Sequence, residues 1–110
     1  MEIQITSRHE KASQSLQDTL TAELEGLQRF YDRITSCHVI LEKERGKEIM
    51  EIVVHMAGHT VAGKARAENL GKAIDLAIAK VERQLKKINE KIKNHKGVGP
   101  SKDERKKQES

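Results

Sequence analysis

Basic side chains are concentrated near the end of the chain, where their spacing suits binding to phosphate groups. Residues 80–96 hold seven Lys or Arg against two Glu, whereas the whole chain has a net charge of +4. A helix here would place four cations within an arc of about 80° on one face, namely Lys80, Arg83, Lys87 and Lys91. Lys86 lies on the far side of the same helix. Such a face presents a charge about every 5–6 Å, which fits the phosphate backbone of RNA or DNA.

A solvated helix face is the simpler interpretation of these cations. Against it, Glu82 and Glu90 are too few to neutralise the basic groups by pairing one helical turn away. The charge pattern therefore favours a nucleic-acid partner.

Other residue types that could do chemistry are arranged in patterns that favour a structural role. His55 and His59 flank a predicted turn near His38, but their spacing matches no zinc motif. Cys37 and His38 are neighbours in a strand and point to opposite faces, so they cannot pair as nucleophile and base. The glutamates within 42–51 lie among Lys and Arg near a turn, as solvated charges do. We therefore expect no enzyme, no metal site and no cofactor.

Length and composition narrow the class of protein. A chain of 110 residues fits one domain. Only Phe30 and Tyr31 are aromatic, so RNA binding is expected to depend on charge and shape rather than on base stacking. The single Cys cannot form an internal disulfide, and no apolar run has the length of a signal peptide or a membrane span. We expect a soluble cytoplasmic protein.

Hydrophobic periodicity places these residues on a short series of strands and helices. Alternating residues such as Ile3 and Ile5 predict strands, and apolar residues at steps of three or four predict helices. The strongest helical signal runs from Leu70 to Ile92. The predicted elements are a strand at about 2–7, a helix at about 13–32, strands at about 36–43, 48–56 and 59–66, and a helix at about 69–94.

The order of these elements predicts an α+β fold. Short turns join the last three strands into an antiparallel meander, and the intervening helix favours a parallel crossover between the first two. The result is a β-α-β-β-β-α two-layer sandwich with a four-stranded mixed sheet and both helices on one face, like a double-stranded-RNA-binding domain. We expect this domain to span 1–95 and the polar segment 96–110 to be a flexible tail.

Two local patterns concern the surface of this fold. In the fourth strand, small residues such as Gly63 share one face, while Lys64 and Arg66 share the other. Gly26, inside the first helix, costs about 1 kcal/mol relative to Ala unless another group approaches closely there.

Four segments of the chain match the motifs of a known family. They are I-x-I-T-S (Ile3 to Ser7), F-Y-D-R-I (Phe30 to Ile34), H-V-I-L-E-K (His38 to Lys43) and A-I-D-x-x-x-x-K-V-E-R-Q-L-x-K (Ala73 to Lys87). With them the chain resembles the short hibernation-promoting factors and their relatives, the ribosome-associated inhibitor (protein Y) and the sigma-54 modulation proteins. The last segment is the most specific, and the resemblance covers about residues 1–95.

The resemblance implies a function for the basic helix. Members of this family occupy the decoding region of the small ribosomal subunit, where they contact ribosomal RNA and block messenger and transfer RNA in stress or stationary phase. Their motif implies phosphate contacts by Lys80, Arg83, Lys86 and Lys87, with Lys64 and Arg66 as extensions of that surface. Gln84 would either contact RNA or cap a surface groove. Relatives tend to carry lysines where Glu23 and Gly26 stand here, which concentrates the expected contacts on the second helix.

Two other functions stay open from the sequence. One is a protein-interaction module, as the sigma-factor label suggests, and the other is a general double-stranded RNA binder. Whether the chain promotes ribosome dimerisation or only inactivates single ribosomes is open as well. We expect the small ribosomal subunit and its RNA as partners, a monomer away from the ribosome, and no membrane contact.

Overall fold

The chain folds into four strands and two helices in the predicted order. The computed structural model describes the backbone of residues 1–94 and the side chains of residues 1–90. The elements are β1 (Glu2–Ser7), α1 (Gln14–Phe30), β2 (Ile34–Glu44), β3 (Lys47–Met56), β4 (His59–Ala67) and α2 (Leu70–Asn94). The β-α-β-β-β-α prediction is therefore confirmed. The predicted tail at 96–110 lies outside the described residues.

A single mixed sheet organises the domain. Its strands lie in the order β1-β2-β3-β4, so β1 and β4 are the two edges. β1 pairs parallel to β2, and β2–β3 and β3–β4 are antiparallel. The parallel pair follows from the crossover through α1, as expected for strands joined by a helix.

Capping and turn residues fix the ends of the elements. The Ser13 hydroxyl caps α1 by accepting a hydrogen bond from the backbone N–H of Leu16 at 3.1 Å. Asn69 caps α2 in the same way, with Oδ1 2.9 Å from the backbone nitrogen of Lys72. The β2–β3 hairpin turns at Arg45 and Gly46, whose φ angles of 53° and 79° both lie in the left-handed region.

Both helices pack on the same face of the sheet and enclose the core. The largest fully buried side chains come from both layers and are Leu20, Leu24, Met50, Ile52, Leu85, Val39, Val54, Val81 and Cys37. Burial of Cys37 raises its thiol pKa to about 11, against a smaller lowering effect of the N-terminal amino group. Cys37 is thus a small core residue, as predicted from its place in the strand.

Candidate nucleic-acid interface

Small residues bring α2 unusually close to strand β4. A Cβ atom at Gly63 would lie 2.8 Å from the carbonyl oxygen of Ala77 and 3.0 Å from the Cγ2 of Val81. These distances are shorter than the normal van der Waals separation between non-bonded heavy atoms, so only glycine at position 63 lets the helix come this close to the strand. Ala65 and Ala77 are also buried in this contact region. The small residues of β4 therefore set how closely α2, with Lys80, Arg83 and Lys87, approaches the sheet.

Side chains of α2 reach over the free edge of β4. The Lys80 ammonium donates a hydrogen bond to the backbone carbonyl of Lys64 at 2.7 Å. The Gln84 amide donates to the carbonyl of Ala62 at 2.6 Å. These carbonyls lie on the free side of β4, away from β3. On that side an edge strand otherwise leaves its hydrogen-bond acceptors open to another chain. Gln84, predicted from the sequence either to contact RNA or to cap a surface groove, donates here to the backbone carbonyls of Ala62 and Lys80.

The cations next to this edge are exposed, and none of them has an acidic partner among residues 1–90. Arg83 and Lys87 lie one turn apart on the flank of α2 that Lys80 also occupies, and all three side chains are exposed. Within residues 1–90, the four ion pairs join β-strand and loop residues, and none includes a cation of α2. These charges are therefore available to an external anion.

Lys86 occupies a different flank of α2. It lies one turn from both Glu82 and Glu90, on the side that faces the end of α1. Burial raises the pKa of the Tyr31 hydroxyl, and the charges of Glu82 and Glu90 raise it further, which locates both carboxylates near that tyrosine. Lys86 is exposed and lies one turn from Arg83, about 60° further round the helix and away from the β4 edge.

The two cations predicted on β4 lie on the opposite side of the sheet from α2. The buried residues of β4 alternate with exposed ones, and Lys64 and Arg66 are among the exposed set. Arg66 forms an ion pair with Glu44 across the sheet, with 3.4 Å between Nη2 and Oε1. Lys64 contributes its carbonyl to the edge contact with Lys80 while its side chain projects to the other face. The side chain of Lys91 lies outside the described residues.

The remaining chemistry-bearing residues form no site of their own. His38 is hydrogen-bonded to the Thr6 hydroxyl at 2.9 Å and His55 to the Thr60 hydroxyl at 3.3 Å. In the part of the chain that the structure describes, no three His, Cys, Asp or Glu side chains are grouped as metal ligands would be. Nor is any helix there long and apolar enough to cross a bilayer.

The apolar spacing of the first helix predicts Tyr31 on its buried face, which the structure confirms, but sequence reasoning missed the exposure of Phe30. Tyr31 packs against the core, whereas Phe30 is 77% exposed at the last position of α1. The i, i+4 pattern of the α1 leucines passes through Tyr31 and not through Phe30, which was the available signal.

A family model and several characterised proteins match this chain. The model described as "Sigma 54 modulation protein / S30EA ribosomal protein" matches residues 3–93. The "Ribosome hibernation promoting factor" of Azotobacter vinelandii is 34% identical over 102 residues, which cover 92% of this chain and 95% of that protein. The protein of the same name from Escherichia coli K12 is 30% identical over 95 residues, covering 86% of this chain and all of its own length.

Solved structures match the fold over most of its length. A ribosomal subunit interface protein from Coxiella burnetii superposes with a TM-score of 0.76 at 29% identity, covering 81% of this chain and 98% of that one. The N-terminal domain of Thermus thermophilus Protein Y superposes with a TM-score of 0.73 at 27% identity, covering 80% of this chain and 99% of that one.

Proposed function

The chain belongs to the sigma 54 modulation protein / S30EA ribosomal protein family, and from this premise we propose that it is a ribosome hibernation factor. It binds the decoding region of the small ribosomal subunit through phosphates of the ribosomal RNA. By occupying that region in stress or stationary phase it excludes messenger and transfer RNA. It acts by binding alone, without catalysis, in the cytoplasm and as a monomer away from the ribosome.

The observation that carries this proposal is the pair of exposed cations Arg83 and Lys87 on α2, for which residues 1–90 hold no acidic partner. Arg83 and Lys87 are exposed, adjacent and free of acidic partners within the described residues. A lysine or arginine already paired to a carboxylate would have to break that pair before binding a phosphate. An unpaired cation loses only its hydration and releases a counterion from the RNA, which favours binding.

The proposed contacts differ in strength among the basic residues. Arg83 and Lys87 form the centre of the phosphate-binding surface, and Lys91 continues it by its place in the sequence. Lys80 contributes its charge while one of its three N–H donors is used by the β4 edge. Lys86 lies beside Arg83 at the margin of this surface. Lys64 and Arg66 lie on the opposite face of the sheet, so they reach RNA only where it wraps around the domain.

The rigidity of this surface suits a bound RNA that is already folded. α2 is held on the sheet by fully buried side chains such as Val81 and Leu85, and the Lys80 and Gln84 bonds fix it to the edge of β4. The cations therefore have a fixed spacing before binding, which lowers the entropy lost on association.

The experiment that tests the proposal is a binding titration against purified small ribosomal subunits at increasing salt. If about five phosphates are neutralised, the logarithm of the affinity falls with the logarithm of the salt concentration with a slope of roughly −3.5 to −4.5. An affinity that does not change with salt would contradict phosphate binding. Competition by messenger RNA and transfer RNA for the same subunits tests the proposed mode of inhibition.

The family description also carries the sigma-factor label, which favours a second candidate, a protein-interaction regulator. A pull-down from lysate with and without ribonuclease separates the two. Loss of the captured partners on RNA removal supports the ribosomal function, and a protein partner that survives ribonuclease supports the alternative.

A further inference from the structure

The end of α1 carries an exposed aromatic ring that the fold does not use. Phe30 is 77% exposed, the most exposed large hydrophobic side chain among residues 1–90. Burying a phenylalanine stabilises a fold by about 1.5–3 kcal/mol, and this stabilisation is absent here. Its neighbour Tyr31 packs against the core instead, so the ring of Phe30 is left for another molecule.

An open space lies beside this ring. Gly26 lies one turn before Phe30 on the same side of α1. A Cβ atom placed on Gly26 would meet only the Nη2 atom of Arg29, at 3.9 Å. No close approach therefore requires glycine at this position, although glycine costs about 1 kcal/mol relative to Ala in a helix. Glycine here leaves the helix surface one turn before Phe30 without a side chain, beside the Arg29 guanidinium.

The charge of α1 reverses at the same place. Asp18, Glu23 and Glu25 precede it, and α1 has no Lys or Arg before Arg29. Arg29 directly precedes Phe30, Asp32 and Arg33 follow the end of α1, and none of these three takes part in the four ion pairs found within residues 1–90. The acidic part of α1 repels RNA, so an RNA strand can approach this helix only at its C-terminal end.

We propose that Phe30, Arg29 and Gly26 form a stacking site for one unpaired nucleobase. This inference rests on the proposed function, since the base belongs to the RNA bound by α2. A phenyl ring and a planar guanidinium both stack on bases, and the space over Gly26 admits a flat group. Lys86, on the flank of α2 that faces α1, supplies a further cation on the path between the two contact regions.

Four substitutions test this site by affinity for purified small ribosomal subunits. Stacking on an aromatic side chain contributes about 1–3 kcal/mol, so Phe30→Ala and Phe30→Leu are expected to weaken binding about 5- to 150-fold. Phe30→Trp is expected to retain binding, because indole stacks at least as well. Gly26→Leu fills the open space and is expected to weaken binding without lowering the unfolding temperature, because Leu favours helix over Gly.

The Phe30→Trp variant also identifies the partner group, since the natural chain has no tryptophan. A stacked base quenches indole fluorescence. The complex of the subunits with the wild-type chain, which has no tryptophan, gives the background fluorescence to be subtracted. Quenching on binding supports the inference. A blue shift without quenching, together with full binding by Phe30→Leu, would assign the ring to an apolar protein pocket and overturn it. Unchanged affinity of Phe30→Ala would overturn it as well.

A comparison with Arg83→Glu/Lys87→Glu separates this inference from the proposed function. If that double variant loses binding while Phe30→Ala retains it, the phosphate surface stands and the stacking site is wrong. If Phe30→Ala loses binding while the double variant retains it, the stacking site stands and the assignment of phosphate contacts to α2 is wrong.

Discussion

Replacing Gly63 by alanine is expected to destabilise the protein by pushing α2 away from β4. The new methyl group would lie 2.8 Å from the Ala77 carbonyl oxygen and 3.0 Å from both the Lys80 Cβ and the Val81 Cγ2. The nearest atom belongs to the helix backbone, so no rotation of a side chain relieves the contact. The helix itself must move by about half an ångström or more to restore normal separations.

The magnitude follows from two opposing terms. Overpacking of a core contact costs about 1–3 kcal/mol, and alanine in place of glycine in a strand regains about 0.5–1 kcal/mol. Because the nearest atom belongs to the helix backbone, the overpacking cost falls in the upper part of its range, at about 2–3 kcal/mol. We therefore expect the Gly63→Ala protein to lose about 1–2.5 kcal/mol of its free energy of unfolding. For a domain of this size the melting temperature should fall by roughly 4–20 °C. Urea unfolding and thermal unfolding followed by circular dichroism measure both quantities.

The matched control is the same substitution at Gly26, where a Cβ meets only the Arg29 guanidinium at 3.9 Å. Here the helix propensity of alanine dominates, and Gly26→Ala should raise stability by about 0.5–1 kcal/mol. Opposite signs for the two variants support the close approach of α2 to β4. A Gly63→Ala protein as stable as the wild type would refute the reasoning.

Three further predictions concern single side chains. Cys37→Ala should reduce the loss of stability in alkali. Burial raises the pKa of the Cys37 thiol from 9.0 to about 11 in the folded protein. The thiol therefore stabilises the fold fully below pH 9.0, and this stabilisation is lost as the pH rises toward 11. Urea unfolding at about pH 8 and about pH 10.5 measures this, and equal losses for variant and wild type would contradict it. Arg45→Asn should raise the melting temperature by a few degrees, since Asn tolerates the left-handed φ of 53° in a turn that favours Asn-Gly. Lys80→Met should lower the free energy of unfolding by about 0.5–1.5 kcal/mol through loss of the bond to the Lys64 carbonyl. Lys80→Arg, which keeps a donor, should restore it, and equal stability of both variants would mean that this bond contributes nothing.

The element order could be predicted from the sequence because each element carries a strong local signal. The apolar steps of α2 and the alternation in β4 appear in the structure where they were predicted, and capping residues of the expected types, Ser13 and Asn69, begin the two helices. The strand pairing followed from loop length, since short turns allow only antiparallel neighbours. These features depend on residues that are close in the chain, which is why a single sequence indicates them.

The surface was harder to predict because it depends on how elements cross. Helical angles grouped Lys80 with Arg83 and Lys87, but they contain no information on where the β4 edge lies. The contact between Lys80 and the Lys64 carbonyl arises from the crossing of α2 over β4 at Gly63. The exposure of Phe30 likewise depends on where α1 ends above the sheet, and composition alone suggested that no stacking platform was present.

The central claim is that the exposed cations Arg83 and Lys87 on α2 bind the small ribosomal subunit through RNA phosphates. Reversing the charge of these two residues, beside a control that reverses two charges elsewhere, tests it most directly. The test protein is Arg83→Glu/Lys87→Glu. The control is Lys11→Glu/Arg45→Asp, which changes the net charge equally at exposed positions away from the Lys80–Lys87 surface. Like charges one turn apart cost only about 0.2–0.5 kcal/mol, so both proteins should stay folded.

The measurement is co-sedimentation of each protein with purified small ribosomal subunits at physiological salt. The test protein should remain unbound, while the control sediments with the subunits as the wild type does. Equal co-sedimentation of both variants would contradict the account, because binding would then depend on net charge or on another face of the molecule.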